Sequence, residues 1–251
     1  MQIKLSYNNI NYSAELNLPI DISIPIRNGF ENPTCFWAPP VDFSPVVDGD
    51  FVGDTLQGSC VNFKNVRINP HGNGTHTECV GHISTEGHTI NQALRNFHFV
   101  AKLVTLYPTL MPDGDRIITL ETMQTAIEQH EAQALVIRTL PNNEYKLTHN
   151  YSGTNPPYVH HEALTYMVSC GIDHLLLDLP SVDRESDEGL MLGHKAFWQY
   201  PTDTRSHATI TELIFVPNEI KDGLYLLNTQ IASFELDASP SKPVLYTLVE
   251  V

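Results

Sequence analysis

The sequence predicts an α/β fold with a mixed sheet and packed helices, and two patterns along the chain indicate it. Runs of β-branched and apolar residues, each of strand length, recur between residues 20 and 234. In the second half of the chain, segments with apolar residues at helical spacing lie between these runs. Strands that alternate with helices are typical of layered α/β proteins, in which helices pack against a sheet.

Each element has its own signal in the chain. Six runs are predicted to be strands: residues 20–26, 97–107, 134–139, 175–178, 209–216 and 224–234. Residues 119–131 and 161–170 are predicted to be helices, and Gly171 supplies the stop signal of the second. The proline-rich stretch 33–45 predicts a long surface loop, and its Phe36 and Trp37 are candidate substrate-binding residues.

Length and charge limit the classes of function. A chain of 251 residues with 41% hydrophobic side chains can bury a full core, which predicts one domain over residues 1–251. The formal net charge of -15 repels phosphate backbones and anionic headgroups, so neither nucleic acid nor a membrane surface is an expected partner. No signal-peptide core or membrane-length apolar stretch occurs, and the four cysteines form no CxxC pair. We therefore expect a cytoplasmic protein with reduced thiols.

A dense group of histidines is the main chemical signal. His71, His76, His82 and His88 fall between residues 71 and 88, together with Glu78 and several glycines. His76 and Glu78 are two positions apart, so in extended backbone their side chains point to one side and can share a cation. The glycines allow the backbone to turn so that His71 and His82 converge on the same point. Any one of these histidines alone is more typical of a surface or hydrogen-bonded position.

A metal would explain why these residue types cluster. A bound divalent cation lowers the pKa of its water to about 7 and polarises a carbonyl group. A nearby histidine that is not a ligand can then pass a proton to the leaving amine. No Gly-x-Ser-x-Gly turn and no glycine-rich phosphate loop is present, so the sequence does not indicate serine hydrolysis or nucleotide binding.

The segment from His71 to His82 resembles the signature of the cyclase or kynurenine formamidase-like family, His-x-Gly-Thr-His-x-Asp-x-Pro-x-His. Gly74, Thr75, His76 and His82 match it in type and spacing, and Glu78 stands in place of the aspartate. Further similarities occur in the family's order along the chain, at residues 21–26 before this segment and at residues 134–139, residues 178–183, His194, Glu212 and residues 240–243 after it.

The resemblance implies a fold, a reaction and a role for each matched residue. The implied fold is the swivelling β/β/α type, assembled as a homodimer or larger homo-oligomer. The implied substrate is an N-formyl aryl amine or a cyclic amide such as isatin, and His82 is the implied general acid/base. We expect one or two metal ions. Zn²⁺ is the expected metal and Mn²⁺ the alternative, because mixed histidine and carboxylate sets bind both. The candidate metal ligands are His71, His76, Glu78, His194 and Glu212.

Three departures from the signature keep alternatives open. The signature's first histidine falls on Gly72, so His71 is a ligand only if the loop accommodates one extra residue. Glu78 is one methylene longer than aspartate, and Val80 replaces the proline. One alternative is therefore a scaffold that binds a metal or small molecule with weakened catalysis. Another is a cyclase or dehydratase that uses the same site. For Asp178, Ser181 and Asp183, a structural role in a turn is the simpler interpretation.

Overall fold

A closed ring of seven strands forms the centre of the protein, whose computed structural model describes residues 1–251. The strands are β1 (Gln2–Tyr7), β2 (Ile10–Glu15), β3 (Ile20–Asp21), β4 (Asp42–Pro45), β5 (Val47–Asp48), β6 (Phe51–Val52), β7 (Lys64–Arg67), β8 (His76–Cys79), β9 (His98–Leu106), β10 (Thr109–Leu110), β11 (Arg116–Ile118), β12 (Ala134–Thr139), β13 (Tyr158–Val159), β14 (His174–Leu177), β15 (Thr209–Glu212), β16 (Gly223–Ile231), β17 (Ala238–Thr247) and β18 (Val249–Glu250). The α-helices are α1 (Ile90–Ala93), α2 (Leu120–Ala126), α3 (His161–Ser169) and α4 (Leu192–Trp198), and the 3-10 helices are Thr55–Gln57, Val80–His82 and Glu144–Leu147.

The ring has a mixed strand order. Its strands follow the order β16-β9-β12-β14-β15-β8-β17, and pairing between β16 and β17 closes it. The four strands from β9 to β15 are parallel to one another, whereas the pairings of β16, β8 and β17 are antiparallel. The predicted fold class, a mixed sheet with packed helices, is confirmed.

Side-chain alternation along β12 separates two apolar cores. Leu135 and Ile137 pack in the cluster that contains the buried residues of α2, α3 and α4. Ala134 and Val136 point to the opposite face, into the cluster inside the ring. Because both faces of a central parallel strand are covered, all six residues of β12 are buried and the strand reads as an uninterrupted apolar run apart from its end.

The predicted elements differ from the structure mainly at their ends. The strand at 134–139 matches β12, and the predictions at 97–107, 175–178 and 224–234 fall on β9, β14 and β16. The strand at 209–216 ends early, at Glu212, because Leu213 has a φ of 54° and cannot continue a strand. The helix at 119–131 ends at Ala126 because Ile127 is extended. Only the first two residues of 20–26 pair as a strand, since the amide of Ile24 bonds a side chain instead.

Several elements were not predicted, among them β17, α4 and the hairpin of β1 and β2. β17 contains Pro240 and Pro243, which interrupt the strand pattern, and α4 is only seven residues long. The hairpin of β1 and β2 turns at Asn8 and Asn9, both with positive φ. The expected loop at 33–45 is irregular except for its last four residues, which form β4. None of the helices combines the length and apolar character that crossing a membrane requires.

A buried polar group at the carboxyl end of β12 helps hold the fold together. The Lys146 Nζ donates hydrogen bonds to the carbonyl oxygen of Thr139 and to Asp178 Oδ2, both at 2.8 Å, and lies 3.4 Å from Asn142 Oδ1. The amide and hydroxyl of Thr139 donate to the same carboxylate. Burial raises the pKa of Asp178, and the neighbouring Lys146 opposes that shift. We call Thr139, Asn142, Lys146 and Asp178 the Lys146 network.

Candidate metal centre

Six side chains from distant parts of the chain converge at one end of the ring. We call this group the histidine–glutamate cluster, and its members are His71, His76, Glu78, His82, His194 and Glu212. In the antiparallel pairing of β8 with β15, His76 lies directly opposite Glu212. The His76 Nε2 and Glu212 Oε2 atoms are 3.4 Å apart. Strand pairing therefore brings together two predicted ligands that are far apart in sequence.

The turn before β8 fixes the orientation of His76. Gly74 has a φ of 113°, a conformation that L side chains rarely adopt. The hydroxyl of Thr75 donates to the carbonyl oxygen of Leu213 at 2.5 Å and accepts from the amide of Ile24 at 2.9 Å, which ties the turn to two neighbouring segments. The His76 Nδ1 lies 3.0 Å from the Gly74 carbonyl oxygen, so it carries the proton and Nε2 is left with a lone pair facing the cluster.

Two further histidines are held in the same manner by carboxylates behind them. The His71 Nε2 lies 2.7 Å from Asp237 Oδ2, and its Nδ1 lies 3.1 Å from Glu78 Oε2. The His194 Nδ1 lies 2.5 Å from Asp183 Oδ2, and its Nε2 lies 3.2 Å from Glu78 Oε1. An imidazole with one nitrogen hydrogen-bonded to an oxygen and the other directed inward is the usual arrangement of a metal-binding histidine.

The spacing of the inward-facing atoms suits ligands of a divalent cation better than hydrogen bonds among those atoms. His76 Nε2 and both carboxylate oxygens of Glu78 are buried without a hydrogen-bond partner, although imidazole nitrogens lie close to them. Two ligand atoms that are each about 2.0–2.1 Å from a tetrahedral Zn²⁺ lie roughly 3.3 Å apart. The contacts among the atoms of His71, His76, Glu78, His194 and Glu212 are 3.1, 3.2 and 3.4 Å. A buried carboxylate whose oxygens are surrounded by nitrogens at this spacing is a suitable donor set for a divalent cation.

The loop accommodates His71 despite its shift by one residue from the signature. A Cβ atom at Gly72 would lie 2.2 Å from the Cβ of Ala38, so no side chain fits at the signature's position. The amide of Cys35 donates to the carbonyl oxygen of Gly72, which holds the two segments at this close approach. His71 reaches the cluster from the preceding position, where its ring centroid lies 5.2 Å from that of His76.

His82 occupies a more exposed position than the other members. Its side chain is 28% exposed, and its Nδ1 lies 3.4 Å from Asp237 Oδ2 and 3.9 Å from Glu78 Oε2. Asp237 therefore contacts both His71 and His82. Sequence reasoning missed Asp237 because it belongs to no recognisable motif and lies 166 positions from His71 in the chain.

The clustered charges shift the pKa values of several members. Burial lowers the pKa of His71, but the neighbouring carboxylates of Asp237 and Glu78 outweigh burial and raise the value to about 10. In His194, Asp183 and Glu78 likewise outweigh burial and raise the pKa to about 10. Burial raises the pKa of Glu78, but His82 and His194 hold it well below its usual range. The cluster thus has a strong affinity for positive charge.

Asp183 places His194 in the cluster. Its carboxylate accepts the backbone amides of Gly193 and His194 at 2.6 and 3.1 Å, at the start of α4, in addition to the His194 ring. A Cβ atom at position 193 would lie 2.8 Å from that carboxylate, so a larger residue there would displace the group that orients His194. The interpretation of Asp183 as a turn residue is incomplete, because it also orients a candidate ligand. Asp178 lies in the Lys146 network instead.

An open cavity of about 380 Å³ leads to the cluster. Ser181, Asp183, Arg184 and Met191 are among the residues that line it, with His71, His82, His194 and Glu212 at its floor. Phe36 also lines the cavity, whereas Trp37 lies outside the lining and is 73% exposed. Its amide instead donates to the Ser152 hydroxyl. The structure thus brings one of the two predicted aromatic residues to the cavity.

Comparison with known proteins identifies one matching family. A sequence model of the family described as "Putative cyclase" matches residues 20–184. This match includes the histidine-rich segment and ends just after Asp183, before His194 and Glu212. No curated protein matches the chain.

Several solved structures share the fold at low sequence identity. One, described as a potential metal-dependent hydrolase with cyclase activity, has 17% identity and a TM-score of 0.67, over 91% of this chain and 97% of the other. A predicted metal-dependent hydrolase from Bacillus stearothermophilus has 17% identity and a TM-score of 0.63, over 91% and 98%. An isatin hydrolase bound to the product analogue thioisatinate has 15% identity and a TM-score of 0.62, over 93% and 92%.

Proposed function

The chain belongs to the cyclase family, and on that premise we propose that it is a metal-dependent hydrolase of a small aryl formamide or of an isatin-like cyclic amide. One observation carries the proposal. His76 Nε2 and both oxygens of Glu78 are buried and lack hydrogen-bond partners. They lie directly behind His71, His194 and Glu212, which line an open cavity. Buried polar atoms without partners are costly unless a ligand satisfies them.

Five residues would hold the cation in this proposal. These candidate ligands are His71, His76, Glu78, His194 and Glu212. A divalent cation held there supplies an activated water at neutral pH and polarises the substrate carbonyl. Asp183 and Asp237 act on the ligands from behind, because each accepts a hydrogen bond from an imidazole and fixes the nitrogen that faces inward. The Val182 amide donates to Glu212 Oε1 at 3.2 Å and orients that carboxylate in the same manner.

His82 is the proposed general acid/base. It lines the cavity and its Nδ1 faces Asp237, so the other ring nitrogen, Nε2, remains to exchange protons with a substrate. In amide hydrolysis this nitrogen takes a proton from the attacking water and donates it to the departing amine nitrogen. The products are a carboxylic acid, or formate for a formamide, and the free amine. Asp237 stabilises the imidazolium that forms between the two transfers.

The cavity supports a small, partly aromatic substrate. Its volume of about 380 Å³ lies in the range of small-molecule pockets. Phe36 and Met191 supply apolar surface to its lining. A planar aryl amide can pack against Phe36 while its carbonyl group faces the cluster. Phe36 is therefore the residue that we propose contacts the aryl ring.

The experiment combines metal analysis with product identification. Purified protein should carry metal in near-stoichiometric amount, and EDTA should remove hydrolysis of N-formylkynurenine or isatin, which Zn²⁺ or Mn²⁺ restores. Mass spectrometry should show isatin converted to a single product that has gained one water, and N-formylkynurenine converted to its free amine and formate, which together contain the added water. Protein that carries metal but hydrolyses neither substrate, in a panel that includes other cyclic amides, would refute the reaction class. Products that lose water would indicate a cyclase or dehydratase instead.

A further inference from the structure

A second cavity, separate from the candidate metal centre, lies at the carboxyl ends of the parallel strands β9, β12 and β14. Its volume is about 390 Å³, within the range of small-molecule pockets. We call it the tyrosine cavity, and its side walls include Tyr107, Arg116, Tyr145, His149, Tyr151 and Leu179. In α/β sheets, ligands bind at the carboxyl ends of parallel strands, where loops rather than strands form the walls. We propose that the tyrosine cavity binds a small aromatic carboxylate.

Aromatic rings form one continuous wall of this cavity. The Tyr145 and His149 rings meet edge to face with centroids 5.1 Å apart, and the His149 and Tyr151 rings do so at 4.6 Å. Tyr151 is only 6% exposed, which fixes the inner end of this row of rings. Burial lowers the pKa of His149, so its ring is neutral at physiological pH. The wall thus offers a planar ligand an apolar face that is already ordered.

The charge of the lining is positive in a strongly acidic protein. The chain has 29 acidic residues, yet none of them lines the tyrosine cavity, whereas Arg116 and Lys146 do. Lys146 is neutralised by its contact with Asp178. Arg116 has no carboxylate partner, and its guanidinium donates a single hydrogen bond, to the carbonyl oxygen of Asn155 at 3.3 Å. Its neighbour Asp115 is paired with a different arginine, Arg184.

An unpaired guanidinium beside an aromatic wall selects for one class of ligand. A carboxylate accepts two parallel hydrogen bonds from arginine, and no lining carboxylate competes for them. The aryl ring of the same ligand can stack on one of the Tyr145 and His149 rings and meet the other edge to face, because these two rings are nearly perpendicular. A neutral aromatic molecule would lack the first interaction, and an aliphatic carboxylate would lack the second.

The two cavities have no lining residue in common. A small cluster of Cys35, Tyr151 and Leu213 is packed between them, with Tyr151 on the side of the tyrosine cavity. Glu212, which precedes Leu213, lines the metal-centre cavity. A substitution in the lining of one cavity therefore leaves the lining of the other unchanged, which allows binding at the two cavities to be distinguished. The proposal for the tyrosine cavity does not depend on the proposed hydrolysis.

The test is calorimetric titration of the purified protein with benzoate, with benzamide and cyclohexanecarboxylate as matched probes that lack the charge and the aromatic ring. Benzoate should bind saturably and more tightly than either probe. Arg116→Gln should weaken benzoate binding by about tenfold or more, and Tyr145→Leu should weaken it by a smaller factor. Both residues are exposed, so neither substitution removes a core contact.

Two control variants locate the binding. Arg95→Gln removes the same charge from an exposed position outside the tyrosine cavity and should leave benzoate binding unchanged. His76→Ala disrupts the candidate metal centre and should also leave it unchanged. The proposal is overturned if benzoate does not bind saturably at millimolar concentration, if Arg116→Gln binds it as the wild type does, or if His76→Ala is the variant that loses it.

Discussion

Two buried polar groups differ in whether the chain itself satisfies them. In the Lys146 network, the ammonium group and both oxygens of Asp178 have hydrogen-bond partners within the protein. In the histidine–glutamate cluster, Glu78 is equally buried but neither of its oxygens has one. Each group surrounds a fully buried carboxylate, so charge and burial alone do not distinguish a structural network from a ligand site.

The difference lies in the direction of the donors. Around Asp178, amide, hydroxyl and ammonium hydrogens point at the carboxylate. Around Glu78, the facing atoms are imidazole nitrogens of His71 and His194. The other nitrogen of each ring is already hydrogen-bonded, to Asp237 and Asp183 respectively. Since a neutral imidazole has only one N–H, the facing nitrogens of His71 and His194 are acceptors whenever these rings are neutral. Acceptors that face acceptors need a cation or protons between them.

The largest expected effect is a loss of metal binding and activity, and it should distinguish a metal ligand, His76, from a general acid/base, His82. His76→Ala should abolish stoichiometric metal binding and, with it, hydrolysis, because its Nε2 has no other function in the fold. His82→Ala should retain the metal and lower turnover by about 10²–10⁴-fold, the usual contribution of a general acid/base. Metal analysis and steady-state kinetics on both variants check this. Equal metal loss in the two would mean that the roles are assigned wrongly.

A large effect on stability is expected in the Lys146 network. Lys146→Met leaves the Asp178 carboxylate buried without its cation, which should lower the free energy of unfolding by about 3–5 kcal/mol. The double variant Lys146→Met/Asp178→Leu should recover much of this loss, because it removes both charges. Urea denaturation measures the three proteins. If the single variant unfolds at the urea concentration of the wild type, the pair has no structural importance.

A smaller effect is expected from the carboxylate behind His71. Asp237→Asn should weaken metal binding by about 10–100-fold, the usual effect of removing a hydrogen-bond partner of a ligating histidine. Turnover at saturating metal should also fall, because Asp237 faces His82 as well. Competition with a chelator of known affinity gives the first quantity. Asp222→Asn is a matched control, because this carboxylate contacts Thr105 and Arg138 and no member of the cluster, and an equal loss of metal affinity in that variant would contradict the assignment.

The pH dependence of metal binding follows from the raised pKa values. Without a cation, His71 and His194 stay protonated up to about pH 10. A ligating imidazole must be deprotonated, so the cation competes with these protons and its affinity should rise as pH rises from 6 to 8. Titration in buffers of different ionisation enthalpy should show release of about two protons per cation. A binding enthalpy that does not depend on the buffer would contradict this.

The same protons affect the stability of the metal-free chain. A histidine whose pKa is raised on folding stabilises the fold fully below the pKa of the unfolded chain, about 6.5, and loses this contribution as pH rises through the folded value. Metal-free protein should therefore lose stability between about pH 6.5 and 10, the upper limit being the pKa of His71 and His194. The metal-bound protein should not show this loss, and thermal unfolding across that range compares the two.

Local patterns predicted the parts of the molecule whose causes are local. β12 was predicted because six consecutive buried residues leave a continuous signal, and His76 and Glu78 were predicted because two alternate positions in a strand share a face. Asp237 and α4 were not predicted, since their importance arises from contacts across the fold. The end of β15 was placed too late because the positive φ of Leu213 leaves no trace in its residue type.

Anomalous X-ray scattering from crystals of the protein grown with Zn²⁺ or Mn²⁺ tests the central claim most directly. We predict a strong anomalous peak enclosed by His71, His76, Glu78, His194 and Glu212. This peak should disappear in His76→Ala, and the Lys146 network should show no anomalous peak in either protein. The account is contradicted if the cluster shows no peak at saturating metal, or if the cation is found at a site that excludes His76 and Glu78.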